Sequence, residues 1–295
     1  MEHRRRLGEK SLARDGVLDL LLAPSHHLFI SPHYDDIALS CGGTIALLAR
    51  YRRYPRVAVV FGEEPPETIE LTPFAAKTHA AWGLEPREVV AVRRREEADA
   101  ADLLGAEVTL LPFHDAIYRG HRYVGDETLF AEPAPDEGDL PSHVAGELGL
   151  VRDQLEETRL YAPLAVGRHV DHQIAFAAGV MLAQEGWEVW FYEDLPYALQ
   201  PGAREDRLRL VGKPLRAAGE VDVSGTWQTK VAAIMAYPSQ LPTVFKRAGI
   251  GASREEIDAG MREYAGRGRA TLPVECFWRL DPSHTPTGGS SLSGM

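Results

Sequence analysis

Imidazoles and carboxylates gather at three places in the chain: His33-Tyr34-Asp35-Asp36, His114-Asp115 and His169-Val170-Asp171-His172. A catalytic divalent cation takes three protein ligands and keeps one position open, and two imidazoles with one carboxylate suit zinc or ferrous iron. His33 and Asp36 stand three apart and can face one point from a turn, which leaves Asp35 directed elsewhere and free to accept a proton. The third stretch offers His172 as the remaining ligand, with His169 three residues before it and Asp171 available to fix an imidazole tautomer. Such a centre supports hydrolysis: a bound cation lowers the pKa of water and polarises a carbonyl while Asp35 removes the water proton. His169, if protonated, would stabilise the oxyanion and protonate a leaving amine, so the set fits amide cleavage. Taken singly, an Asp pair at a strand end is more often a cap or turn former, and a lone histidine more often structural. The metal reading rests on both clusters occurring together, on separate strand tips.

Strands must carry these groups. The run Leu28-Phe29-Ile30 is apolar and stops at Pro32, which cannot donate to a sheet ladder, so a buried strand over 27–31 ends there and exposes His33, Asp35 and Asp36 at its tip. Further strands are expected over 56–61, 107–111, 159–163, 188–192 and 274–280. Helices are expected over 44–53, 73–82, 93–104, 142–157, 174–184, 226–236 and 254–264. The alternation is that of an α/β protein with a Rossmann-like, mostly parallel sheet flanked by helices, in which ligands gather beyond the carboxyl ends of the strands. Residues 207–213 and 220–224 alternate like a β-hairpin and give the domain a small C-terminal β-hairpin and helical extension. The acidic, proline-bearing loop 63–72 is a candidate lid, and 119–141, rich in Gly, Pro and acids, reads as an irregular excursion. The domain reading is an arm over 1–26, a single domain over 27–280 and a disordered tail over 281–295.

Composition narrows the partners. With 32 Lys and Arg against 43 Asp and Glu the formal charge is -11, which argues against a polyanion partner such as nucleic acid. Two cysteines, Cys41 and Cys276, are too few for a disulfide framework and point to a reducing compartment. The short stretch 17–24 is interrupted by Asp19, so neither a leader peptide nor a membrane span is expected, and a soluble cytoplasmic protein is the default. By default Arg93, Arg94 and Arg95 form a solvated helix face, His79 and His143 are surface residues, and Cys41 is a small packed one.

The first motif, His33-Tyr34-Asp35-Asp36 with Gly42-Gly43 after it, and the second, His169-Val170-Asp171-His172, resemble those of the zinc-dependent deacetylases of the LmbE-like or PIG-L type. The resemblance implies that His33, Asp36 and His172 bind zinc, that Asp35 is the general base, and that His169 assists the oxyanion and the leaving group. Arg94, with Glu97, Ala98, Ala101 and Leu104-Gly105 after it, is similar to a family helix whose arginine contacts substrate. Asp115 matches a substrate-contacting acid in the next loop. The likeness runs from 27 to about 192, and more loosely over Lys230, Tyr237, Gln240 and the closing strand. It implies a small-molecule partner: removal of an acetyl group from an N-acetylglucosamine unit of a glycoconjugate. Tyr34, Trp82, Phe113, Tyr118 and Tyr192 could supply stacking faces for a sugar, and each serves as well for packing. Two rivals stand beside this reading. One is an amidase for a larger acyl or thiol conjugate. The other is a non-catalytic nucleotide- or sugar-binding module, which the lack of a Gly-x-Gly-x-x-Gly after the first strand disfavours. The acceptor, the metal and any homo-oligomer are left open.

Overall fold

The strand expected at the first motif is β1 (His26–Ser31), whose Leu28, Phe29 and Ile30 are fully buried. A strand covered on both faces of a parallel sheet carries a continuous apolar run in place of alternation. The computed structural model describes residues 18, 21–65, 68–152, 157–211, 215–267 and 272–281. Within them β1 pairs in parallel with β2 (Pro55–Val59) on one side and β4 (Thr158–Pro163) on the other. Outside these lie β3 (Glu107–Leu110) and β5 (Val189–Tyr192), also parallel to their neighbours. Antiparallel β7 (Val274–Leu280) and β6 (Leu215–Asp222) extend the β5 edge, so the order among the described residues is β3-β2-β1-β4-β5-β7-β6. The connections run outward from β1 and from β4 in opposite directions. The crevice of an open α/β sheet opens at such a switch point.

Helix α1 (Asp36–Arg50) starts inside the first motif, eight residues earlier than the expected start at 44. The glycine pair does not precede this helix but lies within it, because other side chains press against its bare surface. A Cβ on Gly43 would stand 2.6 Å from Val223 Cβ, and one on Gly42 would stand 3.2 Å from Lys230 Cγ. Lys230, from the helix Trp227–Ile234, donates through Nζ to Glu275 Oε1 at 2.6 Å and to the Ser40 carbonyl at 3.1 Å. The Glu275 carboxylate also accepts from the amides of Gly43 at 3.0 Å and Thr44 at 2.8 Å. This ion pair is buried, and it ties the middle of α1 to β7.

Helices α2 (Pro73–Trp82) and α3 (Val89–Leu104) come next, the first as expected and the second starting before Arg93. Within the excursion 119–141 there is only a one-turn helix, α4 (Asp126–Leu129), besides a 3-10 turn. Helix α5 (Leu140–Arg152) begins earlier than expected, with 153–156 outside the described residues, and α6 (Val170–Gln184) begins within the second motif. The expected hairpin is not formed. Residues 207–210 of its first half lie in α7 (Ala203–Leu210), where Arg207 is buried and donates to the Leu164 carbonyl at 2.7 Å, and 212–213 lie outside the described residues. Its second half belongs to β6, which pairs with β7 across α8 (Trp227–Ile234), α9 (Leu241–Ala248) and α10 (Arg254–Ala265). Helix α9 was not anticipated, although Pro242 near its start and Gly249 past its end mark it. Most of the arm over 1–26 and residues 282–295 of the tail lie outside the described residues. Among the described residues no helix is long and apolar enough to cross a membrane, and Cys41 and Cys276 are both free, with Cys41 buried.

This packing can be tested at two buried groups. Glu275→Gln leaves the Lys230 ammonium buried without its counter-charge, so urea denaturation is expected to read a loss of roughly 3–5 kcal/mol. His27 is buried in β1, with Nδ1 2.9 Å from the Tyr161 hydroxyl, and burial together with the Arg159 charge pulls its pKa from 6.5 down to about 3. The unfolded ring binds a proton near 6.5 and the folded ring does not, so this contribution is complete above that pH and is lost as pH falls toward 3. The slope is about 1.4 kcal/mol per pH unit. Urea midpoints of the parent and His27→Asn, measured between these limits, are expected to diverge with that slope, and parallel curves would contradict it.

Candidate active site

The first motif hangs from the end of β1. Val60 N donates to the Ser31 carbonyl at 2.8 Å and Phe61 N to the Pro32 carbonyl at 2.9 Å, which continues the β1–β2 pairing into the loop. The second motif leaves β4 through a tight turn with Ala165, Gly167 and Arg168 at positive φ. Gly167 is required there twice over, since at φ 85° a Cβ would also stand 2.6 Å from the Tyr197 ring. His169 caps α6 by accepting the Asp171 amide on Nδ1 at 3.2 Å. Because β1 and β4 are neighbours, the two turns meet.

They meet at Asp36. Its Oδ2 lies 3.3 Å from His33 Nδ1 and 3.3 Å from His172 Nε2. Two ligand atoms held about 2.0–2.1 Å from a tetrahedral ion stand about 3.3 Å apart, so the spacing suits one. His172 Nε2 is buried and has no hydrogen-bond partner. The other nitrogen of each ring is taken by a carboxylate: His33 Nε2 by Asp171 Oδ2 at 2.9 Å, and His172 Nδ1 by Asp194 Oδ1 at 2.7 Å. Carboxylates in that position fix the tautomer and orient the ring of a metal-binding histidine. His169 is also close, since His33, His169 and His172 present nitrogens within 4.8 Å of one another, as do the ligand atoms of His33, Asp115 and Asp171. These side chains can hold a metal ion.

Asp35 stands at the N-cap of α1 without making a side-chain cap, and it faces an open cleft. His33, Asp36, His169 and Asp115 line the same cleft. Asp115 is held in place by the Ile117 amide on Oδ1 at 3.2 Å and lies 3.8 Å from His33 Nε2 through Oδ2. Asp171 is fully buried away from the cleft lining, where it takes the Ala116 amide at 3.0 Å and faces Arg119 Nη1 at 2.7 Å.

Arg94 is turned out of the cleft, with Nε on the Tyr34 hydroxyl at 3.2 Å and Nη1 3.8 Å from Glu64. The arginine that lines the cleft is Arg93. It is buried, sits over the Tyr34 and Trp82 rings, and lies 3.7 Å from Asp35 and 3.6 Å from Asp115. The solvated-face reading of this run therefore fails at Arg93, because α3 turns that position, and with it Glu97, toward the core. His79 is likewise buried, bonded to the Tyr118 hydroxyl at 2.7 Å. Of the five aromatic rings considered for stacking only Trp82 lines the cleft, alongside Phe74, Phe130 and Tyr197. Tyr192 is spent on the Ile30 carbonyl at 2.8 Å. Sequence reasoning missed the contacts of Arg93 and Arg119 and the pairing of Asp194 with His172, because these partners lie on other strand tips.

Residues 28–183, more than half of the chain, match the family model PIG-L, GlcNAc-PI de-N-acetylase. The chain belongs to this family. It is 35% identical to the 2'-N-acetylparomamine deacetylase of Streptomyces fradiae over 286 residues, 91% of this chain and 95% of that protein. It is 32% identical to the 2'-N-acetylparomamine deacetylase of Niallia circulans over 206 residues, 62% of this chain and 73% of that protein. Among solved structures, a deacetylase from the teicoplanin biosynthesis pathway superposes with a TM-score of 0.71 at 25% identity, covering 87% of this chain and 99% of its own. This PIG-L family chain is thus a deacetylase, a hydrolase.

The electrostatics of the deacetylase site are those of a place built for a cation. Burial penalises charge on His172, yet Asp36 and Asp194 hold its pKa up to about 9. Burial likewise opposes charge on His33, but Asp115, Asp171 and Asp36 keep it well above the usual imidazole range. Asp36 is buried too, and the two imidazoles hold it well below the carboxylate range. Asp35 goes the other way: burial and the neighbouring Asp36 charge push it up to about 6 despite Arg93. Burial and the His33 charge keep His169 neutral, well below the ordinary histidine value. A metal must displace the protons from His33 and His172, and below pH 9 at least one is bound. The affinity of the metal-free protein for a divalent cation is therefore expected to fall about tenfold or more per unit as pH drops from 8 to 6. Chelator competition across that range checks it, and a flat profile would contradict it.

Proposed function

We propose that this deacetylase uses zinc to free the amine of an N-acetylated amino sugar, in a paromamine-type pseudo-disaccharide or a related N-acetylglucosamine conjugate. Support for the substrate class comes from the paromamine-deacetylase relatives, and support for the chemistry comes from the site. One observation carries the reading: two imidazole nitrogens stand 3.3 Å from one carboxylate oxygen of Asp36, beside Asp35, a buried carboxylate lining the cleft that no capping bond ties up.

In this reading His33, Asp36 and His172 hold zinc, and the orphaned Nε2 of His172 is the observation that makes the set fit. When bound, zinc lowers the pKa of a water and polarises the acetyl carbonyl. Asp35 takes the proton of the attacking water, its pKa raised toward neutrality as a general base needs. His169 Nδ1 accepts a backbone amide, so the neutral ring carries its proton on Nε2 and serves the developing oxyanion as an uncharged donor. As the C–N bond breaks, Asp35 returns its proton to the departing nitrogen, giving acetate and a free amine. Asp171 positions His33 from outside the cleft. Asp115 and Arg93, rather than Arg94, offer the polar groups for sugar hydroxyls, with Trp82 and Phe130 as apolar faces.

Acetate release from 2'-N-acetylparomamine and simpler N-acetylglucosamine conjugates, measured beside a bulky-acyl amide, tests the proposal. Acetate is expected from the first group, with about one zinc per chain and loss of both zinc and turnover in His172→Ala. Asp35→Asn is expected to keep zinc and lose about 10²–10⁴ in kcat. Full activity in that variant would remove Asp35 as the base, and cleavage of the bulky amide alone would move the bond to a larger acyl group.

A further inference from the structure

We infer that Asp194 is a positioning residue that sets which nitrogen of His172 is open to the metal. The inference rests on the zinc reading of the site and adds a determinant to it from a third strand tip. Asp194 lies two residues beyond β5, 22 residues after His172, and is 1% exposed. One of its oxygens, Oδ2, accepts the Val166 amide at 2.9 Å, and the other, Oδ1, is 2.7 Å from His172 Nδ1.

A carboxylate only accepts and a peptide N–H only donates, so this arrangement places a proton on His172 Nδ1 whether the ring is charged or neutral. Val166 fills Oδ2, and Oδ1 then draws a proton onto His172 Nδ1. The neutral ring is left with its lone pair on Nε2. That nitrogen is buried, has no hydrogen-bond partner and stands 3.3 Å from Asp36 Oδ2. The Val166 contact also keeps the carboxylate from rotating away, since a turn of the side chain would orphan a buried amide. The same residue therefore holds the turn after β4 and selects the tautomer of the ligand on the next helix, α6.

An amide of the same shape reverses the pattern. In Asp194→Asn the side-chain oxygen goes to the Val166 N–H, so the NH₂ group meets His172 Nδ1 as a donor. The ring then keeps its lone pair on Nδ1 and its proton on Nε2, toward the metal. A contact that only held the turn would lower stability on substitution without changing the proton pattern of the ring.

The test is zinc affinity by chelator competition on the parent and Asp194→Asn, with far-UV circular dichroism on both. A folded variant binding zinc 10–100-fold more weakly than the parent is expected. A folded variant within threefold of the parent overturns the inference while leaving the zinc reading intact; a parent that binds no zinc removes that reading instead, and this inference with it. Should the variant fail to fold, the parent itself decides. In the zinc-loaded protein, long-range ¹H–¹⁵N correlation of the His172 ring, assigned by its loss in His172→Gln, is expected to show the proton on Nδ1. A ring with Nδ1 unprotonated overturns the inference.

Discussion

A single carboxylate oxygen, Asp36 Oδ2, stands 3.3 Å from an imidazole nitrogen on either side, one carried by the tip of β1 and the other by the helix after β4. Only adjacent parallel strands bring those two tips so close, and only at the point where the chain leaves the sheet in opposite directions are both tips free of a crossing connection. The fold's strand order is therefore the first condition of the site. The third and fourth tips, carrying Asp115 and Asp194, close around the same point from β3 and β5.

Such a convergence crowds buried acids. Asp35, Asp36, Asp115, Asp171 and Asp194 are all largely removed from water, and buried carboxylates persist only when countered. Arg93 answers Asp35 and Asp115, and Arg119 answers Asp171. What remains falls on His33 and His172, which is why both hold protons so firmly in the absence of a cation. Protons and a dication are alternative answers to the same excess of negative charge.

How much of this was legible in the sequence depends on how local each signal is. His33, Asp35 and Asp36 sit next to an apolar run stopped by a proline, and that pattern alone gives the strand with its loaded tip. Asp171 was read as available to fix an imidazole tautomer; the ring it bonds is that of His33, 138 residues away, and no local spacing encodes that partner. Arg93 and Arg94 are neighbours of the same type, and the choice between them is a rotation of about 100° on α3, which the core decides. Gly42 and Gly43 suggested close packing correctly, yet the start of α1 was misplaced because their neighbours Val223, Lys230 and Glu275 come from the far end of the chain. The hairpin failed for the converse reason, since a short Arg-Leu alternation suits a strand and also a short helix that buries Arg207 and exposes Arg209 and Leu210.

The one local rule that the structure breaks is also informative. Asp at an N-cap ordinarily turns its carboxylate onto the amides of the first turn, which stabilises a helix by about 1 kcal/mol. Asp35 occupies that position in an αR conformation, φ -106° and ψ -17°, and makes no such bond. That capping bond is absent, and the helix is held deeper in, where Glu275 accepts from the Gly43 and Thr44 amides and Lys230 donates to the Ser40 carbonyl. Helix α1 is thus fastened at its middle so that its first residues need not fasten themselves. The Asp35 carboxylate is held by its place on the helix and by the adjacent Arg93, 3.7 Å away, rather than by a capping bond onto the first turn.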